Sequence, residues 1–323
     1  GTVEISGDTT NIMSENKNTI DNISAGQINI NGGTIESVNS SAINNKGIVN
    51  INGGTIKSLK SNMIYNKGTG QINITRGTLI GAQEGVSSNN VISNSENGRV
   101  KITGGNISSK VGSAIYSNSV GTVEISGDTT NITTERGNVI WNSGVGTVEI
   151  SGDTTNLTTE RGNVIWNSGA GQINIKGGKM ESSNSTAIYN YKGTITIDGG
   201  TIKALKANII NNPTSGQVNI NGGTLVGQSE YNEGSTSTYP AIINGSNEGK
   251  INITGGNMSC AKTNVLYNKL AGTITLSGNP VITSTVSAAV TNAGTGTIII
   301  NGGKITSPTG KVSVVNYSTG TVT

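Results

Sequence analysis

The chain has no histidine and no phenylalanine, one cysteine and four prolines in 323 residues. Without His, no site can use imidazole as a metal ligand or proton carrier. Without Phe, and with two Trp and eight Tyr as its only rings, the chain has little with which to fill a thick globular core. Cys260 alone forms no intrachain disulfide and is silent on redox compartment. Charge is scarce too: 21 basic residues face 18 acidic ones. That balance gives no electrostatic footprint for nucleic acid or for an anionic membrane. No run approaches the roughly 18 apolar residues of a membrane span, so no membrane insertion is expected. No charged-then-apolar leader opens the chain, and export signals are expected outside these residues.

What the chain does have is glycine, 48 residues of it, and an apolar fraction made mostly of Ile and Val. That set suits a thin β-rich core rather than a globule. A repeat solenoid needs only such a core, because each unit buries its face against the next. The repeat is visible directly. A G-x-[IV]-x-[IL] pattern recurs at Gly1, Gly26, Gly47, Gly70, Gly98, Gly121, Gly146, Gly171, Gly193, Gly216, Gly249, Gly272 and Gly296, with a partial unit from Gly320. Thirteen units of about 24 residues lie within the range of solenoid repeats.

Each unit reads as three short strands. The first alternates, as in Gln27-Ile28-Asn29-Ile30, which places Ile28 and Ile30 inward and Gln27 and Asn29 outward. A turn such as Asn31-Gly32-Gly33 or Asn52-Gly53-Gly54 follows, where a sharp corner wants positive φ. The second strand reads Thr34-Ile35-Glu36-Ser37. After a loop of variable length, longest between Gly227 and Tyr239, comes a third strand of the type Met63-Ile64-Tyr65-Asn66. No unit shows a 3.6-residue apolar period, which excludes helical solenoids, and the units are too short for propeller blades. The fold expected is an all-β, right-handed parallel β-helix of 13 coils. The handedness follows from the general preference of parallel crossovers. The whole of residues 1–323 reads as a single repeat domain, a segment of a longer array.

The fourth position of the third strand is Asn22, Asn45, Asn66, Asn94, Asn142, Asn167, Asn190, Asn212, Asn244, Asn268 and Asn292, with Ser117 and Tyr317 as the exceptions. An amide that recurs once per coil, about 4.8 Å apart, accepts from one neighbour and donates to the other. That predicts an asparagine ladder inside the turn; preference for Asn in turns, taken singly, is the alternative. The third position, outward, carries Tyr65, Tyr116, Trp141, Trp166, Tyr189 and Tyr267. Exposed rings in a column mark a contact surface. Stacking on sugars, lateral packing against another fibre, or mutual ring packing would each account for them.

Units such as Gly-Gln-Ile-Asn-Ile-Asn-Gly-Gly-Thr-Ile at 26 to 35, closed by Ala42-Ile43-Asn44-Asn45, resemble the arrays of adhesin-like or autotransporter-like β-helical surface proteins of Gram-positive gut bacteria. The resemblance covers essentially the whole chain and is specific for architecture. It implies an exported protein, wall-attached or shed, at the cell surface or outside the cell. Residues 121–145 and 146–170 differ at only two positions, Ile132 against Leu157 and Val145 against Ala170. Such copying favours an array in which the number of units matters, whereas an active site would be unique to one region.

The function expected is therefore structural or adhesive, a surface stalk or fibre-forming adhesin. Its partners would be other copies of itself, end to end or side by side, covalent continuation of the array, or glycans on a host surface. A carbohydrate-binding β-helix using the aromatic column is the alternative. A polysaccharide lyase or hydrolase is the enzymatic rival, and it would want paired carboxylates or a carboxylate-bound Ca²⁺ beside a basic residue. There are five Asp, none adjacent to another, and no cofactor or metal is implied. Glu124 and Glu149, one coil apart, are the best pair of carboxylates, with Asp128 and Asp153 nearby. They could hold a cation between stacked oxygens, or they are copied surface residues offset by Arg136 and Arg161. Regular Thr pairs of the ice-binding kind stay isolated, at Thr194 with Thr196 and Thr273 with Thr275. Cys260 stands where other units have Ser37 or Ser58 and reads as a small buried filler.

Overall fold

The computed structural model describes residues 1–81, 89–228 and 239–323. Among them every regular element is a β-strand. Most of the long polar insert expected after Gly227 lies outside the described residues. The chain divides into two compact units, Gly1–Gly162 and Asn163–Thr323. Each is a parallel β-solenoid.

In the first unit the first strands Thr2–Ile5, Gln27–Ile30, Ile48–Ile51 and Gln71–Ile74 pair in parallel, so that Val3, Ile28, Val49 and Ile72 align. The second strands Asn11–Ser14, Thr34–Ser37, Thr55–Ser58 and Thr78–Ile80 do the same. In Arg99–Ser109 and Thr122–Thr134 first and second strand run together, with a register shift after Ile102. The second unit repeats the scheme without such fusion, as in Gln172–Ile175, Thr194–Ile197 and Gln217–Ile220. Third strands number six in the first unit and seven in the second, which makes the thirteen turns that the repeat predicts.

The alternating pattern does what its period demands. In Gln27–Ile30, Thr147–Ile150 and Gln217–Ile220 the second and fourth residues are buried and the first and third are half-buried. Each inward Ile or Val is covered by its counterparts in neighbouring coils. Burying such a side chain contributes about 1.5–3 kcal/mol. Within each unit an inner strand gains backbone hydrogen bonds from the coil before and the coil after, as Gln27–Ile30 and Thr194–Ile197 do, so a narrow core leaves few polar backbone groups to water. The Gly-Gly corners are needed for two reasons. Gly54 has φ of 77°, and a Cβ there would lie 2.7 Å from the carbonyl oxygen of Gly33 in the coil below.

The asparagine ladder is present and has a direction. The side-chain N–H of Asn22 donates to Oδ1 of Asn45 (2.8 Å), Asn45 to Asn66 (2.8 Å), and Asn66 to Asn94 (2.8 Å). In the second unit Asn167, Asn190, Asn212, Asn244 and Asn268 each donate to the next, at 3.0–3.2 Å, ending Asn268 to Asn292. The second amide hydrogen is used as well: Asn66 donates to the carbonyl of Gly70 (2.9 Å) and Asn212 to that of Gly216 (2.8 Å). One side chain thus closes its own corner and ties it to the next coil.

The sequence pattern misplaces one rung. Asn316, not Tyr317, aligns with Asn292 and accepts from it at 3.0 Å, while Tyr317 is 76% exposed. Val314-Val315 looks like the adjacent inward pair that Met63-Ile64 is, but Val315 aligns with the outward Thr291, so the pattern slips by one residue. Ser117 is a true exception, and the break is patched. Asn94 donates to Oγ of Ser119 (3.1 Å), and Ser119 shares a hydrogen bond with Ser117 (3.1 Å).

Candidate functional site

The third strand points its middle residue outward because the residues on either side are pinned, one in the core and one in the ladder. Tyr65 in Ile64–Asn66 is 37% exposed, and Trp141 in Ile140–Asn142 and Tyr116 in Ile115–Ser119 are half-buried. In the second unit Trp166, Tyr189 and Tyr267 take the same position and are half-buried. The six expected ring positions are therefore all outward.

They do not make one continuous platform. In the first unit Tyr65 and Tyr116 are separated by Ser93, which is 5% exposed. Tyr116 and Trp141 are adjacent in register, with centroids 4.9 Å apart and planes at 62°. That is edge-to-face packing, worth about 0.5–1.5 kcal/mol beyond area burial. Ser143 Oγ donates to the hydroxyl of Tyr116 (3.1 Å), and the Lys67 ammonium stands 5.1 Å from the centre of the Tyr65 ring. In the second unit Trp166 pairs with Tyr189 in register, after which Asn211 and Ile243 continue the column before Tyr267.

Glu124 and Glu149 align in register, but Glu124 pairs with Lys101 at 2.9 Å. The arginines expected to offset it turn elsewhere: Arg136 pairs with Glu135 (3.3 Å) and Arg161 with Glu160 (3.2 Å). Adjacent residues reach each other at smaller entropic cost than side chains across the coil. Among the described residues no three His, Cys, Asp or Glu side chains come together as a metal ligand set. Cys260 is fully buried, in register with Gly227 and Ser284, as its column of small residues predicts.

Among the described residues, open grooves lie in the first unit. One, about 350 Å³, runs over Ser108, Lys110, Thr133, Glu135 and Glu160. Another, about 530 Å³, crosses the corner from third strand to first strand and is lined by Thr69, Gln71, Asn97, Arg99, Val120 and Gly121. Neither Tyr65, Tyr116 nor Trp141 lines either groove. The signal for the second was present in the repeat: it sits where Ser117 interrupts the asparagine positions. No protein-family model, no curated protein and no solved structure matches this chain.

Proposed function

We propose that the chain is a structural and adhesive extracellular repeat protein, a surface stalk or fibre-forming adhesin that makes contact through its outward aromatic column. The reading draws on the likeness of its units to β-helical surface arrays of Gram-positive gut bacteria. One observation carries it: six rings stand outward on a scaffold whose corners are tied by buried amides. Rings held on rigid strands lose little conformational entropy on contact, which is what a binding surface needs. The column serves either glycans or the flank of another copy. The edge-to-face geometry of Tyr116 and Trp141 leaves ring edges as well as faces to a partner. The role is one of contact, without cofactor or catalysis.

The test uses residues that the column already tolerates. Ser93 and Asn211 occupy it naturally, so Tyr116→Ser with Trp141→Asn keeps the coil. Far-UV circular dichroism is expected to stay unchanged, while binding to a glycan array or lateral association in sedimentation falls about tenfold or more, the equivalent of about 1.4 kcal/mol. Retention of both by a folded double variant would remove the column from the contact surface.

A further inference from the structure

We infer that the corner groove over Thr69, Gln71, Asn97, Arg99, Val120 and Gly121 is a binding subsite for a carboxylate-bearing saccharide. The inference rests on the adhesive reading above and names a ligand class and a place for it.

The groove lies where the repeat departs from itself. In the other described turns of this unit the third strand ends at its ladder residue, as in Ile43–Asn45, Ile64–Asn66 and Ile140–Asn142. Here Ile92–Glu96 and Ile115–Ser119 run two residues further, pairing Ser95 with Asn118 and Glu96 with Ser119. The ladder breaks in the same place, at Ser117. Glu96 has φ of 57°, the only non-glycine at positive φ among the described residues. A residue with a β-carbon is strained there, and such strain gathers at functional positions. The strained corner is fixed from both sides: the amide of Asn97 donates to the carbonyl of Gly68 (3.0 Å) and that of Val120 to the carbonyl of Glu96 (2.8 Å). It sets Asn97 and Val120 outward over the groove.

The lining has the chemistry of a sugar acid. The guanidinium of Arg99 is exposed and makes no hydrogen bond or ion pair with a described residue, although Lys101, two residues on, is paired. The side chains of Gln71, Asn97 and Thr69 also have no partner among the described residues. Elsewhere in the Gln71 column, Gln27 donates to Asn29 and Gln217 to Asn219, both at 3.0 Å. A fork of guanidinium donors matches a carboxylate, and carboxamides match ring hydroxyls. Val120, 61% exposed, offers methyl groups to the C–H face of a pyranose. A volume of about 530 Å³ lies in the range of small-molecule sites, about 300–1,000 Å³. The carboxylate of Glu96 is turned back over the coil below, 4.0 Å from where a Cβ on Gly68 would stand. It does not line the groove, but its charge opposes an anion nearby.

The experiment is calorimetric titration of the full chain with tri-galacturonate, a hyaluronan tetrasaccharide and 3′-sialyllactose, each against a neutral counterpart: methyl-esterified tri-galacturonate, chitotetraose and lactose. At least one acid is expected to bind, about tenfold or more tighter than its counterpart, and more weakly as ionic strength rises. Arg99→Gln places in the column the residue that Gln71 already is, so the fold is kept; it should abolish the preference for the acid. Glu96→Gln should strengthen binding of the acid. Equal binding of acid and neutral sugars, no binding by any acid, or full acid preference in a folded Arg99→Gln chain would overturn the subsite. If array binding is lost in the Tyr116 and Trp141 double variant but unmoved by Arg99→Gln, the subsite fails and the adhesive column stands.

Discussion

Asn212 shows how much one residue does in this fold. It is fully buried, accepts from Asn190 (3.1 Å), donates to Asn244 (3.2 Å), and donates again to the carbonyl of Gly216 (2.8 Å). Removing it takes the ladder donor from Oδ1 of Asn244 in a dry corner, where an unmet group costs about 1–3 kcal/mol, and leaves the Asn190 amide with the Gln217 carbonyl and the Gly216 carbonyl with the Lys250 amide as their remaining partners. Its neighbour Asn211 points outward and is half-buried. Asn212→Ala is therefore expected to cost about 1–3 kcal/mol in urea unfolding, and Asn211→Ala less than about 0.5 kcal/mol. Equal shifts would mean that the ladder is geometry without energy. Ladder residues were legible in the sequence because one column of a solenoid repeats one environment. The rung at Asn316 was not, because a flanking Tyr317 offered an equal reading of the period. Nor was the patch by Ser119, since a hydroxyl two residues along reaches the ladder only when the strand overruns. The coil-start glycines have the same origin as the ladder. A Cβ on Gly70 would strike Oδ1 of Asn66, and one on Gly272 would strike Nδ2 of Asn244. The Gly of the repeat pattern and its Asn are thus one motif, read in the sequence as two.

At the scale of strands and columns, amides point in opposite directions inside and outside. The buried ladder donates toward higher-numbered coils, as Asn22 does to Asn45. The outward ladders donate toward lower-numbered ones: Asn73 to Asn50 and Asn50 to Asn29, both 2.8 Å, with Asn29 reaching Glu4 at 3.3 Å. Another outward row runs from Thr254 to Asn221 and from Asn221 to Asp198, both 2.8 Å. A carboxylate that only accepts is a fitting last member of a chain of donors. The alternation of the strands made the outward Asn column readable, but not its direction, which depends on how each amide rotates in its field. The ring column follows the same limit. Its positions were legible from period two, whereas its geometry was not, because Ser93 breaks it and Tyr116 meets Trp141 edge to face. A double-mutant cycle of Tyr116→Ser and Trp141→Asn is expected to give a coupling of about 0.5–1.5 kcal/mol. Additive losses would mean that the two rings do not support each other.

For the molecule as a whole, a solenoid makes stability a sum over turns and their nearest neighbours rather than a property of one core. A turn removed in register should then leave a folded protein that is smaller by one unit. Deleting residues 193–215 joins Lys192 to Gly216, both of which precede or begin a first strand in the same way. The deletion would set Gln172–Ile175 beside Gln217–Ile220, and would bring Asn190 to Asn244 with the intervening rung gone. Both new neighbours carry the residues that the old ones met, Ile against Val and Asn against Asn. The urea m-value scales with surface exposed on unfolding, so it should fall by roughly one turn in thirteen, about 8%, with parallel-sheet circular dichroism retained. Deleting residues 194–215 instead leaves Gly193 as well as Gly216 and shifts the join by one residue. A one-residue slip turns inward side chains outward. Either Val218 and Ile220 would then have to leave the core, or the extra glycine would have to bulge. The shifted deletion should therefore unfold at lower urea than the in-register one, by about 1–3 kcal/mol for the strained join. Equal stability of the two deletions would show that the corner absorbs length freely and that the period of the repeat, as read from Gly to Gly, does not fix the register of the coil.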